Sequence, residues 1–192
     1  MRIIAGEWRG RRISAPKGDS VRPTLDSVRE AWMSMVHTSL PDARVLDLFA
    51  GSGALGLEAL SRGASSVDFV ENDPRTFRVL QENIKKLGAG ERSTLHREDA
   101  LGFLTKARRV TGEGHLRATG EGHLRATGEG EPYDVAFADP PYRKNMAVQL
   151  ADLWLKRPFA AIFGVEHESS ETLPAGGDTR RYGDTSITIY RT

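Results

Sequence analysis

The amino-acid sequence predicts an α/β fold in which a mixed, mostly parallel sheet carries helices on both faces. From residue 44 onward, short apolar segments alternate with longer segments that have helical periodicity. Glycines follow the first apolar segment closely, as they do where a buried strand turns tightly into a helix. The 192 residues, 39% hydrophobic and 28% charged, suit one globular domain with a sizeable core.

The first element is predicted to be a small β-hairpin. Residues 2–16, RIIAGEWRGRRISAP, alternate in polarity and bend at Gly6 and Gly10, which indicates a hairpin or an irregular strand pair. A helix follows, because Leu25, Val28, Trp32, Met35 and Val36 share one helical face. We therefore expect residues 1–23 to form a basic N-terminal extension and residues 24–192 to form the main domain.

The remaining elements follow from the alternation of apolar segments with helix signals. We predict strands within residues 43–50, 65–73, 93–99, 133–142, 159–168 and 185–191. We predict helices within residues 54–63, 74–88, 100–109 and 145–156, the second opened by Pro74 and closed by Gly88. Strands that alternate with helices in this way form a parallel sheet.

Residues 111–131 depart from this pattern, because they contain the unit TGEGHLRA twice and a partial third copy. Their glycine-rich, polar composition predicts a flexible loop outside the core. The loop joins a helix to the next strand, so we expect it at the sheet edge away from any ligand. His115 and His123 lie in this repeat without a third ligand nearby, and we expect no metal site.

Composition and charge exclude several classes of protein. The chain has no cysteine, which excludes disulfides, thiolate catalysis and cysteine-based metal sites. It has no apolar run of membrane-spanning length, and its first residues lack the apolar core of a signal peptide, so we expect a cytoplasmic protein without membrane contact. Residues 1–29 hold seven basic and three acidic groups, which is typical of contact with a polyanion and equally of a solvated basic surface.

The segment VLDLFAGSGALGLEAL, residues 45–60, contains Gly51, Gly53 and Gly56 in the spacing G-x-G-x-x-G. Such glycines let a ligand approach the backbone at the start of a helix. Glu71 lies at the distance expected for an acid that binds a ribose. On this segment alone, a nicotinamide-dependent oxidoreductase remains an alternative.

Two further features favour S-adenosylmethionine. Asp47 ends the first strand beside the glycines, where its charge would repel a pyrophosphate and attract an ammonium or sulfonium group. The fourth strand runs into Asp139-Pro140-Pro141-Tyr142 at the same predicted edge. Asp139 and a prolyl carbonyl can accept both N–H groups of an exocyclic amine, and Tyr142 offers a face for base stacking. The prolines restrict the turn that holds these acceptors.

The segments RIIAGEWRGRRI, RPTLDSVRE, DLFAGSGALGLEALSRGA and ADPPY together resemble the RsmD-type methyltransferases. This resemblance implies a Rossmann-like class I methyltransferase fold for residues 24–192. It implies methyl transfer from S-adenosylmethionine to the N2 amine of a guanine in 16S ribosomal RNA, with S-adenosylhomocysteine as the product. It also implies the small ribosomal subunit as partner, and nothing in the sequence requires more than a monomer or a metal.

The resemblance also implies roles for individual residues. Expected cofactor contacts are Asp47, Phe49, Gly51, Gly53, Glu71, Asn72, Asp99 and Ala100, with Asp99 also a candidate helix cap. Expected catalytic residues are Asp139, Pro140, Pro141 and Tyr142. Candidate RNA contacts are Arg9, Arg11, Arg12, Arg22, Arg29, Arg143 and Lys144, because arginine in particular suits phosphate. We expect Trp8 to pack rather than to stack on a base.

Other functions share parts of this pattern. D-P-P-Y also occurs in DNA adenine-N6 methyltransferases, although this chain lacks room for a separate DNA-recognition domain. A catalytically silent RNA-binding module and a protein-amine methyltransferase are further alternatives, the latter usually carrying Asn where Asp139 stands.

Overall fold

The computed structural model describes residues 1–15, 26–107, 116–118, 124–126, 132–142 and 145–192. Within them the helices are α1 (Asp26–Val36), α2 (Ala54–Ser61), α3 (Pro74–Leu87), α4 (Ala100–Ala107) and α5 (Met146–Lys156). The strands are β1 (Arg44–Leu48), β2 (Ser66–Val70), β3 (Ser93–His96), β4 (Leu116–Ala118), β5 (Leu124–Ala126), β6 (Tyr133–Ala138), β7 (Ala160–Glu168), β8 (Asp178–Tyr182) and β9 (Thr185–Arg191).

Seven strands form one mixed sheet in the order β3-β2-β1-β6-β7-β9-β8. The strands from β3 to β7 in that order are parallel to their neighbours, whereas β9 runs antiparallel to β7 and β8 antiparallel to β9. The sheet confirms the predicted α/β fold of the class I methyltransferases. The edge strand β8 was not predicted.

The two faces of the sheet bury separate apolar clusters, because side chains alternate along each strand. In β1, Val45 belongs to the cluster that includes residues of α1, α2 and α3. Leu46 and Leu48 belong to the opposite cluster, which includes residues of α4 and α5. Helices therefore cover both faces, as the sequence predicted.

Local signals explain where the central helices begin and end. The Asp73 carboxylate accepts hydrogen bonds from the backbone N–H groups of Arg75 and Thr76, and Pro74 occupies the first turn of α3. Gly88 ends α3 with a left-handed φ of 74°. These boundaries match the predicted ones.

Residues 1–15 form an irregular antiparallel pair with a bridge between Arg2 and Arg12, as predicted. The pair docks on α2, because the buried Glu58 carboxylate accepts hydrogen bonds from the N–H groups of Ile4 (2.7 Å) and Ala5 (2.9 Å). Trp8 is buried, and the Arg92 guanidinium lies 4.9 Å from its ring centroid. The expectation that Trp8 packs is confirmed.

In the repeat, β4 and β5 pair antiparallel with each other and do not join the seven-stranded sheet. The other residues of 111–131, and with them the predicted flexibility of this loop, lie outside the described residues. Among the helices that the structure describes, none has both the length and the hydropathy needed to span a membrane.

Candidate active site

The register of the parallel strands brings the predicted site segments to one edge of the sheet. Leu48 at the end of β1 pairs with Val70 of β2 on one side and with Ala138 of β6 on the other. Val70 in turn pairs with His96 of β3. The residues that follow these strand ends are therefore neighbours, which places the glycine turn between the segment at Glu71 and the segment at Asp139.

The turn after β1 is built from left-handed backbone. Phe49 has a φ of 59°, Gly51 of 57° and Gly53 of 82°. A Cβ atom on Gly51 would meet nothing closer than the Phe49 carbonyl oxygen at 3.8 Å. A Cβ atom on Gly53 would lie 2.5 Å from the Leu80 side chain. Gly51 thus leaves open space for a ligand, whereas Gly53 permits packing of the turn against α3.

Gly56 serves the packing of α2 on the sheet. A Cβ atom there would lie 2.3 Å from the Phe69 ring and 2.9 Å from an Asp47 carboxylate oxygen. The three glycines of the motif therefore have different physical roles, and open space lies only beside the first.

Asp47 is 2% exposed and lies beneath the glycine turn. Its Oδ2 accepts a hydrogen bond of 2.9 Å from the Gly56 N–H. Burial raises the pKa of Asp47 to about 7; the Gly56 hydrogen bond opposes this rise and the Glu71 charge adds to it. A cation bound near this carboxylate would stabilise its charged form.

Glu71 follows β2 and contacts the glycine turn directly. Its Oε2 accepts a hydrogen bond of 2.9 Å from the Gly51 N–H, and its Oε1 accepts one of 2.7 Å from the Asp73 N–H. The neighbouring Asn72 is exposed. The carboxylate is thus held by two backbone groups at the mouth of the turn, and each of its oxygens has a further lone pair for a hydroxyl.

Asp99 and Ala100 follow β3, further along the same edge. Asp99 Oδ2 accepts a hydrogen bond of 2.8 Å from the Gly102 N–H, as a residue that caps a helix does. Ala100 is buried at the start of α4. The predicted cap is present, and the exposed Asp99 remains at the edge where the adenine is expected.

The D-P-P-Y segment follows β6 without a break. Asp139 is half-buried, Pro140 is buried and Pro141 is exposed. The Tyr142 hydroxyl lies 3.2 Å from Glu166 Oε1 and 2.8 Å from Thr185 Oγ1. A small pocket is lined by residues of this segment and by residues in or next to α5 and β7, namely Pro140, Pro141, Tyr142, Asn145, Met146, Ala147, Glu166, His167 and Glu171.

The predicted RNA contacts occupy different environments. Arg9 and Arg12 are exposed on the N-terminal pair. The Arg11 guanidinium donates hydrogen bonds to the backbone carbonyls of Lys86 and Leu87 at the end of α3. Arg22, Arg143 and Lys144 lie outside the described residues.

Arg29 requires a correction, because its side chain is 1% exposed and not at the surface. Its Nη2 donates hydrogen bonds to the Arg2 carbonyl (2.6 Å) and to Asp26 (2.9 Å). These contacts tie α1 to the N-terminal pair. Arg29 is therefore a structural residue, and its guanidinium does not reach a phosphate in this fold.

Sequence reasoning missed three residues that are linked to Tyr142, two directly and one through Glu166. Trp32, Glu166 and Thr185 come from α1, β7 and β9, and each is at most 8% exposed. No local motif marks them, since their neighbourhood arises only when four distant segments meet. Within the described part of the chain, no three metal-binding side chains cluster together.

Comparison with known proteins gives the family of this chain. Residues 1–114 match the family model described as "Conserved hypothetical protein 95". The Escherichia coli K12 protein "Ribosomal RNA small subunit methyltransferase D" is 34% identical over 179 residues, which cover 91% of this chain and 78% of that protein.

Solved structures show the same architecture. A hypothetical protein of Thermus thermophilus is 30% identical and superposes with a TM-score of 0.80, covering 100% of this chain and 99% of the other. An RNA methyltransferase of Salinibacter ruber, solved with S-adenosyl-L-homocysteine, is 12% identical with a TM-score of 0.59, over 88% and 92% of the two chains, and shares the fold. The family match and the 34% identity show that this chain belongs to the RsmD-type family of ribosomal RNA methyltransferases.

Proposed function

We propose that this chain transfers a methyl group from S-adenosylmethionine to the exocyclic N2 amine of a guanine in 16S ribosomal RNA. One observation carries the proposal: parallel pairing of β1 with β6 sets Asp139 beside the glycine turn. The name of the E. coli relative supports small-subunit rRNA as the substrate class. The proposed partner is the assembled or assembling small subunit, with the protein acting as a cytoplasmic monomer.

The residues at the ends of β1, β2 and β3 fit S-adenosylmethionine. The open space beside Gly51 admits a ligand to the backbone, and Phe49 and Gly53 shape the same turn. Asp47 favours a cationic ligand end, Glu71 has lone pairs for ribose hydroxyls, and Asn72, Asp99 and Ala100 flank the adenine. The bound sulfonium would supply the transferable methyl group.

The residues after β6 would prepare the amine. Its lone pair is delocalised into the base, so the nitrogen needs acceptors that draw it toward a tetrahedral geometry. Asp139 accepts one N–H, and a backbone carbonyl in the Pro140–Pro141 turn accepts the other. The Tyr142 ring stacks on the base, an interaction worth about 1–3 kcal/mol. A paired guanine must leave its helix to reach these groups.

Residues 1–23 form the proposed RNA-contacting extension of a methyltransferase domain that spans residues 24–192. Arg9 and Arg12 are the strongest described candidates, because both are exposed on the N-terminal pair. Arg11 already donates hydrogen bonds to the end of α3. A phosphate would bind this guanidinium beside those hydrogen bonds or in place of them. Arg22, Arg143 and Lys144 complete the proposed set.

Methyl transfer from tritiated S-adenosylmethionine tests the proposal. Unmethylated small subunits, naked 16S rRNA and genomic DNA are offered in parallel. We expect label in rRNA that digests to N2-methylguanosine, and the first two substrates show whether assembly is required. Label in DNA as N6-methyladenine would replace the proposed substrate while keeping the amine chemistry. RNA binding without transfer of label would indicate a silent binding module.

A further inference from the structure

Glu166 is a buried carboxylate of β7 that lies behind the D-P-P-Y segment. Its side chain is 6% exposed, and its two oxygens face different partners. Oε2 accepts a hydrogen bond of 3.2 Å from the Trp32 indole N–H. Oε1 accepts one of 3.2 Å from the Tyr142 hydroxyl. A buried carboxylate needs such donors, because leaving it without them costs several kcal/mol.

Packing holds the Trp32 donor in place. Trp32 is fully buried, and its ring meets the Phe137 ring edge-on at 5.5 Å between centroids. A Cβ atom on Gly164 would lie 2.2 Å from the Trp32 ring, so the glycine makes the room that the indole occupies. Gly164 precedes Glu166 by two residues and shares its face of β7. The indole N–H is thereby aimed along the strand at the carboxylate.

The Tyr142 hydroxyl is held from a second side by Thr185 of β9. The two hydroxyl oxygens lie 2.8 Å apart, and Thr185 is 8% exposed. The donors and acceptors balance when Thr185 donates to Tyr142 and Tyr142 donates to Glu166. Burial raises the pKa of Tyr142 to about 12, so its hydroxyl keeps the proton that this arrangement needs at neutral pH.

We propose that Glu166 and Thr185 are positioning residues that hold the Tyr142 ring, through its hydroxyl, at the angle from which it stacks on the target base. This inference rests on the proposed function. A phenylalanine would supply the same ring face but neither hydrogen bond. The hydroxyl therefore fixes a ring that its half-buried backbone segment alone leaves free to rotate about χ1 and χ2.

A set of four enzymes tests the link through Thr185: wild type, Tyr142→Phe, Thr185→Val and the double variant. The measured quantity is the single-turnover methylation rate at saturating rRNA, normalised to the fraction of protein that binds cofactor. We expect each single variant to lose about tenfold in this rate, with cofactor affinity within about twofold of wild type. The double variant should be no slower than the slower single variant, because Thr185 acts through the hydroxyl.

Variants of Glu166 test the other side of the link. Glu166→Leu removes both acceptors and should be at least as slow as Tyr142→Phe. Glu166→Gln can accept from Trp32 and donate to Tyr142, which then donates to Thr185, so it should recover most of the rate. The matched control is Tyr190→Phe, which removes a tyrosine hydroxyl that donates to the Pro174 carbonyl and not to this network, and which should methylate at the wild-type rate.

The outcomes separate this inference from the proposed function. Absence of rRNA methylation by the wild-type enzyme would overturn the proposed function and the inference with it. Normal wild-type activity combined with full activity of Tyr142→Phe, or with multiplying losses in the double variant, would overturn the inference alone. So would a Glu166→Gln variant as slow as Glu166→Leu, because charge and not position would then be the cause. Glu166→Leu also disturbs a buried site. If Glu166→Leu does not fold, the comparison of Thr185→Val with the double variant still decides the test.

Discussion

The neighbouring strands β1 and β6 end at the same edge of the sheet, yet they build the candidate site in different ways. At the end of β1, the open space beside Gly51 leaves the backbone accessible, and the strand residue Asp47 is buried beneath the turn. After β6, the Tyr142 side chain is held through its hydroxyl by residues from β7 and β9. The end of β1 therefore presents mainly backbone to a ligand, and the end of β6 presents mainly side chains.

This difference suits the two ligands proposed for the site. A cofactor that is the same in every reaction can be recognised by a turn whose shape is set by φ angles and glycines. A base amine needs acceptors at defined angles, which only supported side chains and a restricted turn provide. We therefore expect substitutions after β6 to change the rate of transfer, and substitutions after β1 to change cofactor affinity or stability.

The largest expected effect is on the rate of transfer in Asp139→Ala. Loss of the acceptor that draws the amine toward a tetrahedral geometry should slow methylation by roughly a thousandfold. Cofactor affinity, measured by calorimetry, should stay within about tenfold of wild type. Asp152→Ala, an exposed carboxylate on α5, is the control and should transfer at the normal rate. A near-normal rate in Asp139→Ala would remove this residue from the mechanism.

The second effect is the pH dependence of stability caused by Asp47. Its folded-state pKa, about 7, lies above the unfolded value of 3.8. Below both values the carboxyl is protonated in the folded and unfolded chain, and stability does not depend on pH through this group. Between them the unfolded chain releases a proton that the folded chain retains, so the free energy of unfolding falls as pH rises. Between pH 5 and 8 this loss should be on the order of 3 kcal/mol.

Asp47→Asn should abolish that loss while keeping an acceptor for the Gly56 N–H. Urea unfolding of both proteins at pH 5 and pH 8 measures it, with the exposed Asp152→Asn as control. The same variant should bind S-adenosylmethionine more weakly at pH 8, because the charge that favours a cation is gone. Parallel pH profiles for Asp47→Asn and wild type would show that this carboxylate is not the titrating group.

The third effect separates two glycines of one motif. Gly56→Ala places a Cβ atom 2.3 Å from the buried Phe69 ring, so overpacking should lower the free energy of unfolding by about 1–3 kcal/mol. Gly51→Ala should lower the free energy of unfolding by about 1 kcal/mol, because alanine disfavours a left-handed φ. Its Cβ atom would also fill the space proposed for the cofactor. Denaturant melts and cofactor titrations on both variants test this; equal losses of cofactor affinity would contradict the division of roles.

Much of the fold was predictable because the central strands and helices carry strong local signals. Pro74 and Gly88 mark the ends of a helix. Strands β1 and β6 are short, mostly apolar segments whose last four residues are buried, as residues of strands covered on both faces are. Strand β8, DTRRY, was missed because its first four residues are exposed and it has no apolar alternation. It forms a strand because β9 beside it offers an unpaired edge.

The residues of the candidate site were likewise predictable only where they belong to a local sequence motif. The glycine turn and D-P-P-Y are each a continuous stretch of sequence, and both were recognised. Glu166 is a single acid within a strand, and its hydrogen bond to Trp32, 134 residues away, could not be predicted from neighbouring residues. Arg29 shows the opposite failure. Counted as surface charge from the sequence, it is buried, and its Nη2 donates hydrogen bonds to the Arg2 carbonyl and to Asp26.

The smallest expected effect is on RNA binding by the N-terminal pair, away from the ends of β1 and β6. Arg29 provides the control. Replacing Arg9 and Arg12 with alanine should weaken RNA binding and reduce the slope of log affinity against log salt by about one per lost phosphate contact. Arg29→Met should lower the melting temperature, because it breaks buried hydrogen bonds, but should leave that slope unchanged. Filter binding over a range of salt concentrations measures both. An unchanged slope in the double variant would place the RNA elsewhere, and a reduced slope in Arg29→Met would mean that this guanidinium leaves its buried partners to meet the RNA.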